Sequence, residues 1–124
     1  MEHSDEFLAI VNDAKARVNE LSVTEAIRRM QSGAVLIDVR EDQEWKSGFA
    51  SGAIHLGRGV IERDIVGKFP DKATEIILYC GGGYRSALAA DMLQKMGYTN
   101  VYSLAGGWKA WLDADAPLAT DDLG

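Results

Sequence analysis

The stretch Glu75–Gly97 reads "EIILYCGGGYRSALAADMLQKMG". Ile76, Ile77, Leu78 and Tyr79 form an unbroken apolar run, the pattern of a strand covered on both faces. From Ser86 onward the period changes. Leu88, Ala89, Met92, Leu93 and Met96 share one helical face, and Gly97 ends the helix. Between the two stand Cys80, the only cysteine in the chain, then Gly81, Gly82, Gly83, Tyr84 and Arg85. A buried strand that passes through a glycine-rich loop into a helix is the unit of an α/β fold with a parallel sheet.

The same alternation extends outward from this stretch. "AVLIDV" (Ala34–Val39), "AIHL" (Ala53–Leu56) and "VYSL" (Val101–Leu104) are further short apolar runs. Before them, "LSVTEAIRRMQSG" predicts a helix that opens on a capping box of Ser22 and Glu25 and stops at Gly33. Val23, Ala26, Ile27 and Met30 form its buried stripe. A short helix carrying Glu62 and Arg63 is expected after "LGRG". A last helix, "GGWKAWLDAD", brings Trp108, Trp111 and Leu112 to the core. At the N-terminus, Phe7, Val11, Ala14 and Val18 recur at helical spacing, which predicts an amphipathic helix over about Ser4–Glu20. The expected organisation is this helix (residues 1–20) followed by a single domain (residues 21–124). The sheet should be mainly parallel, with helices on both faces.

Composition narrows the function. A chain of 124 residues suits one domain. Its net charge of −6 disfavours a general nucleic-acid binder, which needs a positive footprint. No apolar stretch approaches the roughly 20 residues that span a bilayer. The start, "MEHSDEFLAIVNDAKARVNE", makes a poor signal peptide, so a cytoplasmic location is expected. One cysteine excludes an internal disulfide, a CxxC redox pair and a thiolate zinc site. His3 and His55 form no ligand pair, and no metal or organic cofactor is expected.

In an open parallel sheet, ligands bind beyond the carboxyl ends of the strands. Cys80 follows one strand end, Arg40 another, and Arg58 lies two residues past a third. With Arg85 they predict a locally positive pocket on an acidic protein. The competing reading pairs Arg40 with an acid such as Glu44 and leaves Arg58 solvated. Gly81, Gly82 and Gly83 let successive N–H groups converge on an anion. The following helix adds its free amides and the positive end of its dipole, and Arg85 adds a permanent charge. All favour a thiolate at Cys80. Tyr84 either lines the pocket mouth or packs on it. Asp38 and His55 read as structural residues, Asp91 as solvent-facing and Arg63 as a marginal pocket candidate. Trp45 reads as packing.

Two stretches carry a family resemblance. "LIDVREDQEWKSGFASGAIHLGRG" (Leu36–Gly59) and "YCGGGYRSALAADMLQKMGYTNVYSLAGGW" (Tyr79–Trp108) resemble the signatures of rhodanese-type sulfurtransferase domains. The likeness covers roughly Leu21–Leu112. It implies a three-layer domain with five strands, the fifth near Leu21–Val23. It also implies transfer of a sulfane sulfur from a donor such as thiosulfate to cyanide or a thiol, through a persulfide on Cys80. The amides of Gly81 to Arg85 would cradle the outer sulfur, Arg85 would close the loop, and Ser86 would hydrogen-bond the cysteine sulfur. A sulfur-carrier module serving a sulfur-relay protein is the alternative. Cysteine-based phosphatases and arsenate reductases also pair a cysteine loop with arginine. Their cysteine and arginine stand one residue further apart than Cys80 and Arg85, which suggests a wider cradle for a tetrahedral group.

Overall fold

The computed structural model describes residues 3–120. Five parallel strands form the main sheet: β1 (Asn19–Leu21), β2 (Val35–Asp38), β4 (Ile54–His55), β5 (Ile76–Tyr79) and β6 (Val101–Leu104). Their order is β1-β6-β5-β2-β4. The central strand, β5, is buried along its whole length. Its side chains alternate between two cores, as a period of two requires. Ile76, Leu78 and Cys80 enter one core with Ile61 and Ile65 of helix α4 (Ile61–Lys68) and Ala89, Ala90 and Leu93 of α5 (Tyr84–Lys95). Ile77 and Tyr79 enter the other with Val23 and Ala26 of α2 (Val23–Gln31) and Trp111 of α6 (Gly107–Asp113). This is the three-layer α/β architecture anticipated from the alternating pattern.

Sequence-based boundaries shift where pairing competes with propensity. The first helix, α1, spans Asp5–Lys15, with the Ser4 hydroxyl accepting from the Phe7 amide at 3.0 Å. It stops short of Glu20 because Asn19–Leu21 is recruited as β1, paired with Tyr102–Leu104. The sheet thus satisfies backbone groups that a longer helix would have used internally. Val18, from the predicted helical stripe, still reaches the core from beyond the helix. Ser22 caps α2 by accepting from the Glu25 amide at 3.2 Å. The Glu25 carboxylate turns instead to Arg28 and Arg29. Leu112 is 42% exposed, contrary to its assignment to the core, whereas Trp111 on the same helix is buried. Three short elements have no clear sequence signal: α3 (Asp42–Lys46) and the antiparallel pair β3 (Phe49–Ala50) and β7 (Leu118–Ala119). Among the described residues no helix is long and apolar enough to cross a membrane.

Helix α1 packs against α5, and an ion pair fixes it there. Arg17, just beyond α1, donates to both Asp91 oxygens at 2.9 and 2.8 Å and to Asp13 at 2.9 Å. Asp91 is therefore buried, not solvent-facing as its place in the helix suggested. The hydrogen bonds from Arg17 hold its carboxyl below the usual carboxylate range. A depressed folded-state pKa stabilises the fold above the unfolded value of about 3.9 and loses that effect as pH falls through the lower folded value. In thermal melts across pH, the stability gap between the unaltered chain and Asp91→Asn should be full above about pH 4 and shrink below it. A gap independent of pH would show that the carboxylate charge contributes nothing.

Candidate active site

Cys80 stands at the carboxyl end of β5, 1% exposed. The loop after it turns its backbone so that two amides meet the sulfur. Gly83 N–H lies 3.1 Å and Ser86 N–H 3.3 Å from Cys80 Sγ. The Ser86 hydroxyl is 3.5 Å from the sulfur and shares a 2.8 Å hydrogen bond with the hydroxyl of Ser103 on β6. Helices ordinarily begin with a side-chain oxygen accepting from a first-turn amide. Gly83, the residue before α5, has no side chain for this, and the Cys80 sulfur accepts from the Ser86 amide in its place.

The three loop glycines are not equivalent. Only Gly83 has left-handed backbone, with φ of 99°. At Gly81 the constraint is space, because a Cβ there would lie 3.1 Å from Arg85 Nη2. A Cβ on Gly82 would make only ordinary contact with the Tyr84 ring. The loop is held from behind by α6. Trp108 N–H donates to the Cys80 carbonyl at 2.7 Å, and Lys109 N–H to the Gly81 carbonyl at 3.2 Å. Gly107 permits this approach. It has φ of 55°, and a Cβ on it would fall 2.3 Å from the Cys80 carbonyl oxygen. A Gly107→Ala chain should lose about 2 kcal/mol of stability from strain alone, measurable by denaturant unfolding. The Cys80 loop must then move away from the geometry described above. Unchanged unfolding would mean that the loop yields freely.

The charge at the site is largely balanced. Arg85 donates to Glu44 through both Nη atoms, at 2.8 and 3.2 Å. The Glu44 oxygen Oε1 also accepts from the Glu41 amide at 2.9 Å, which anchors the carboxylate to α3. The Arg85 bond holds the Glu44 carboxyl below its ordinary range, and the same bond raises Arg85.

A cavity of about 630 Å³ opens over the sulfur. Cys80, Gly81 and Gly82 line it together with Arg85 and Glu44. Tyr84, Phe7 of α1 and His3 complete the lining. The His3 ring lies 5.1 Å from that of Phe7 and 4.7 Å from that of Tyr84, and the Phe7 and Tyr84 rings are 6.3 Å apart.

Cys80, Gly81, Gly82, Tyr84 and Arg85 are thus brought to one cavity, with Gly83 and Ser86 beneath the sulfur. Arg40 is not. It is buried in a pair with Asp38, Nη2 to Oδ2 at 2.8 Å, and donates to the Gly48 carbonyl at 2.7 Å. Its guanidinium also lies 4.5 Å from the Trp108 ring centre. The strand-end rule delivered it to the correct edge of the sheet, but Asp38 two residues earlier captured it. Arg58 also does not line the cavity; Glu62, one turn on, holds it at 2.9 Å. Arg63 is exposed beside Asp64. His55 contacts the Arg40 carbonyl at 2.8 Å, and its ring stacks on Trp45. Sequence reasoning missed Glu44 as the partner of Arg85, Ser103 beneath Ser86, and the two α1-side aromatics. Phe7 carried a signal, since it lies one helical turn before buried Val11, but that spacing reads as core.

Residues 22–114 match the family model described as the rhodanese-like domain. The thiosulfate sulfurtransferase GlpE of Haemophilus influenzae is 31% identical over 102 residues, covering 82% of this chain and 94% of that protein. Among solved structures, the polysulfide-sulfur transferase homodimer of Wolinella succinogenes superposes with a TM-score of 0.80 at 29% identity, over 95% of this chain and 90% of that one. A Rhodopseudomonas palustris protein of unknown function, described as a possible tyrosine phosphatase, gives the same TM-score and identity over 96% and 99%.

Proposed function

The chain belongs to the rhodanese-like domain family, and from that premise we propose that it moves a sulfane sulfur from a small donor to a thiophilic acceptor through a persulfide on Cys80. The observation that carries this reading is the convergence of the Gly83 and Ser86 amides on a sulfur at the floor of an open cavity. Such donors stabilise an anionic sulfur in a partly dehydrated site.

The chemistry has two halves. The Cys80 thiolate attacks the outer sulfur of a donor such as thiosulfate. A bond forms between the two sulfurs, the donor's S–S bond breaks, and its electron pair leaves on sulfite. In the second half a nucleophile, either cyanide or a thiol, attacks the outer persulfide sulfur and regenerates the thiolate. No proton transfer is needed when the nucleophile is already ionised. Two half-reactions through one covalent intermediate give ping-pong kinetics. Intact-protein mass spectrometry after thiosulfate tests the central step: a gain of about one sulfur mass, reversed by cyanide, is expected.

Phosphate-ester cleavage is disfavoured by the same geometry. It calls for a general acid near the leaving oxygen. Among the described lining residues the carboxylate is Glu44, which is bound to Arg85 and held ionised, so it has no proton to give near neutral pH.

A further inference from the structure

A polar residue stands where the core calls for an apolar one. Ser103 of β6 lies two residues after core residue Val101, on the same face of the strand. It is fully buried. Its register is locked on both sides, opposite Leu78 of β5 and Glu20 of β1. Burying a hydroxyl costs free energy unless it is hydrogen-bonded. Among the described residues the partner of the Ser103 hydroxyl is the Ser86 hydroxyl, at 2.8 Å. Ser86 is itself fully buried, and its hydroxyl stands 3.5 Å from Cys80 Sγ. A short chain of polar groups thus runs from Ser103 through Ser86 to Cys80, with two links between three groups.

The proton count gives this chain a direction. A thiolate carries no hydrogen and only accepts. Two hydroxyl hydrogens then serve two links: Ser103 donates to Ser86, and Ser86 donates to the sulfur. A thiol adds a third hydrogen to the same two links. If it donates to Ser86, the Ser86 hydrogen turns to Ser103, and the Ser103 hydrogen is left buried without an acceptor. The inner sulfur of a persulfide also has no hydrogen, so the first arrangement serves that state as well. Resting on the sulfurtransferase reading, we propose that Ser103 is a positioning residue, whose hydroxyl donates to Ser86 and so turns the Ser86 hydrogen onto Cys80 Sγ in both states of the cycle. A hydroxyl that accepts one hydrogen bond is also a stronger donor in the next. Ser103 does not line the cavity and acts through Ser86 alone.

Cys80 is the only cysteine, so alkylation of the full chain by iodoacetamide reports on it alone. In Ser103→Ala the alkylation rate at about pH 6.5 should fall about fivefold, the factor that about 1 kcal/mol of hydrogen bonding produces. At about pH 9.5, above the ordinary thiol range, the rates with and without the substitution should agree within about twofold. In a Ser86→Ala background, Ser103→Ala should change the rate at the lower pH by less than about twofold, because its route to the sulfur is gone. A merely structural role predicts otherwise, since a loosened core alters alkylation at both pH values and with or without the Ser86 hydroxyl. No loss at the lower pH, an equal loss at both, or a loss that persists in the Ser86→Ala background would each overturn the inference. Thiosulfate loading followed by mass tests the sulfurtransferase reading separately. A chain that alkylates as expected yet gains no sulfur from any donor would overturn that reading and leave the Ser103 contact standing.

Discussion

A Cys80→Ser chain is expected to gain no sulfur from thiosulfate, and the proposed transfer should slow by about 10⁴-fold or more, the scale seen when a covalent nucleophile is removed. The reason is chemical before it is structural. A hydroxyl is far less ionised than a thiol near neutral pH, and it is a poorer nucleophile. The Gly83 and Ser86 amides remain in place to receive an oxygen, so folding is expected to persist. That separation makes the variant informative. Thermal melts should show a folded chain while mass spectrometry shows no added sulfur. Sulfur appearing on Cys80→Ser at a normal rate would remove Cys80 from the mechanism.

The second large effect concerns stability. Asp38 is fully buried and accepts from the Arg40 amide at 2.8 Å, from Arg40 Nη2 at 2.8 Å and from the Tyr79 hydroxyl at 2.6 Å. Tyr79 in turn accepts from the Ala50 amide at 3.0 Å, which ties β3 to the main sheet. Burial, followed by the bond to Asp38, lifts the Tyr79 phenol above its ordinary range, so it stays a donor throughout the working pH range. Removing Asp38 strands the Arg40 charge inside the protein. Asp38→Ala should cost about 3–5 kcal/mol, the scale for breaking a buried pair by deleting one partner, and lower Tm by about 10–25 °C. Replacing both residues, as Asp38→Ala with Arg40→Met, should recover a large part of that loss, because no uncompensated charge remains. A loss below about 1 kcal/mol for the single change would mean that water reaches Arg40.

These two sites mark what could and could not be seen in the sequence. Cys80 and its loop were legible because a lone thiol, a run of glycines and a following helix constrain one another within a few residues. The central strand was legible because β5 is buried on both faces, which leaves an unmistakable apolar run. Arg40 was misplaced for a related reason. The strand-end rule locates a residue but cannot say which neighbour takes its charge, and Asp38 wins over the cavity because the bidentate pair is complete within one protein core. Glu44 and Phe7 are distant from the cysteine loop in sequence. Their meeting at the cavity depends on how α3 and α1 dock, which no local pattern encodes. β3 and β7 have two residues each, too few for any period to register.

The approach of α6 to the loop bears on the negatively charged sulfur proposed for this acidic protein. Peptide groups are two-ended, and a loop that offers its amides to an anion must put its oxygens somewhere. Here the Cys80 and Gly81 oxygens face backward onto the Trp108 and Lys109 amides. Those two oxygens are therefore taken up by α6, while the sulfur meets the Gly83 and Ser86 amides further along the loop. With two carbonyls taken up by α6 and two amides on the sulfur, the loop suits an anion without a cluster of basic side chains. A single missing Cβ, at Gly107, keeps the two layers close enough for that sorting to hold.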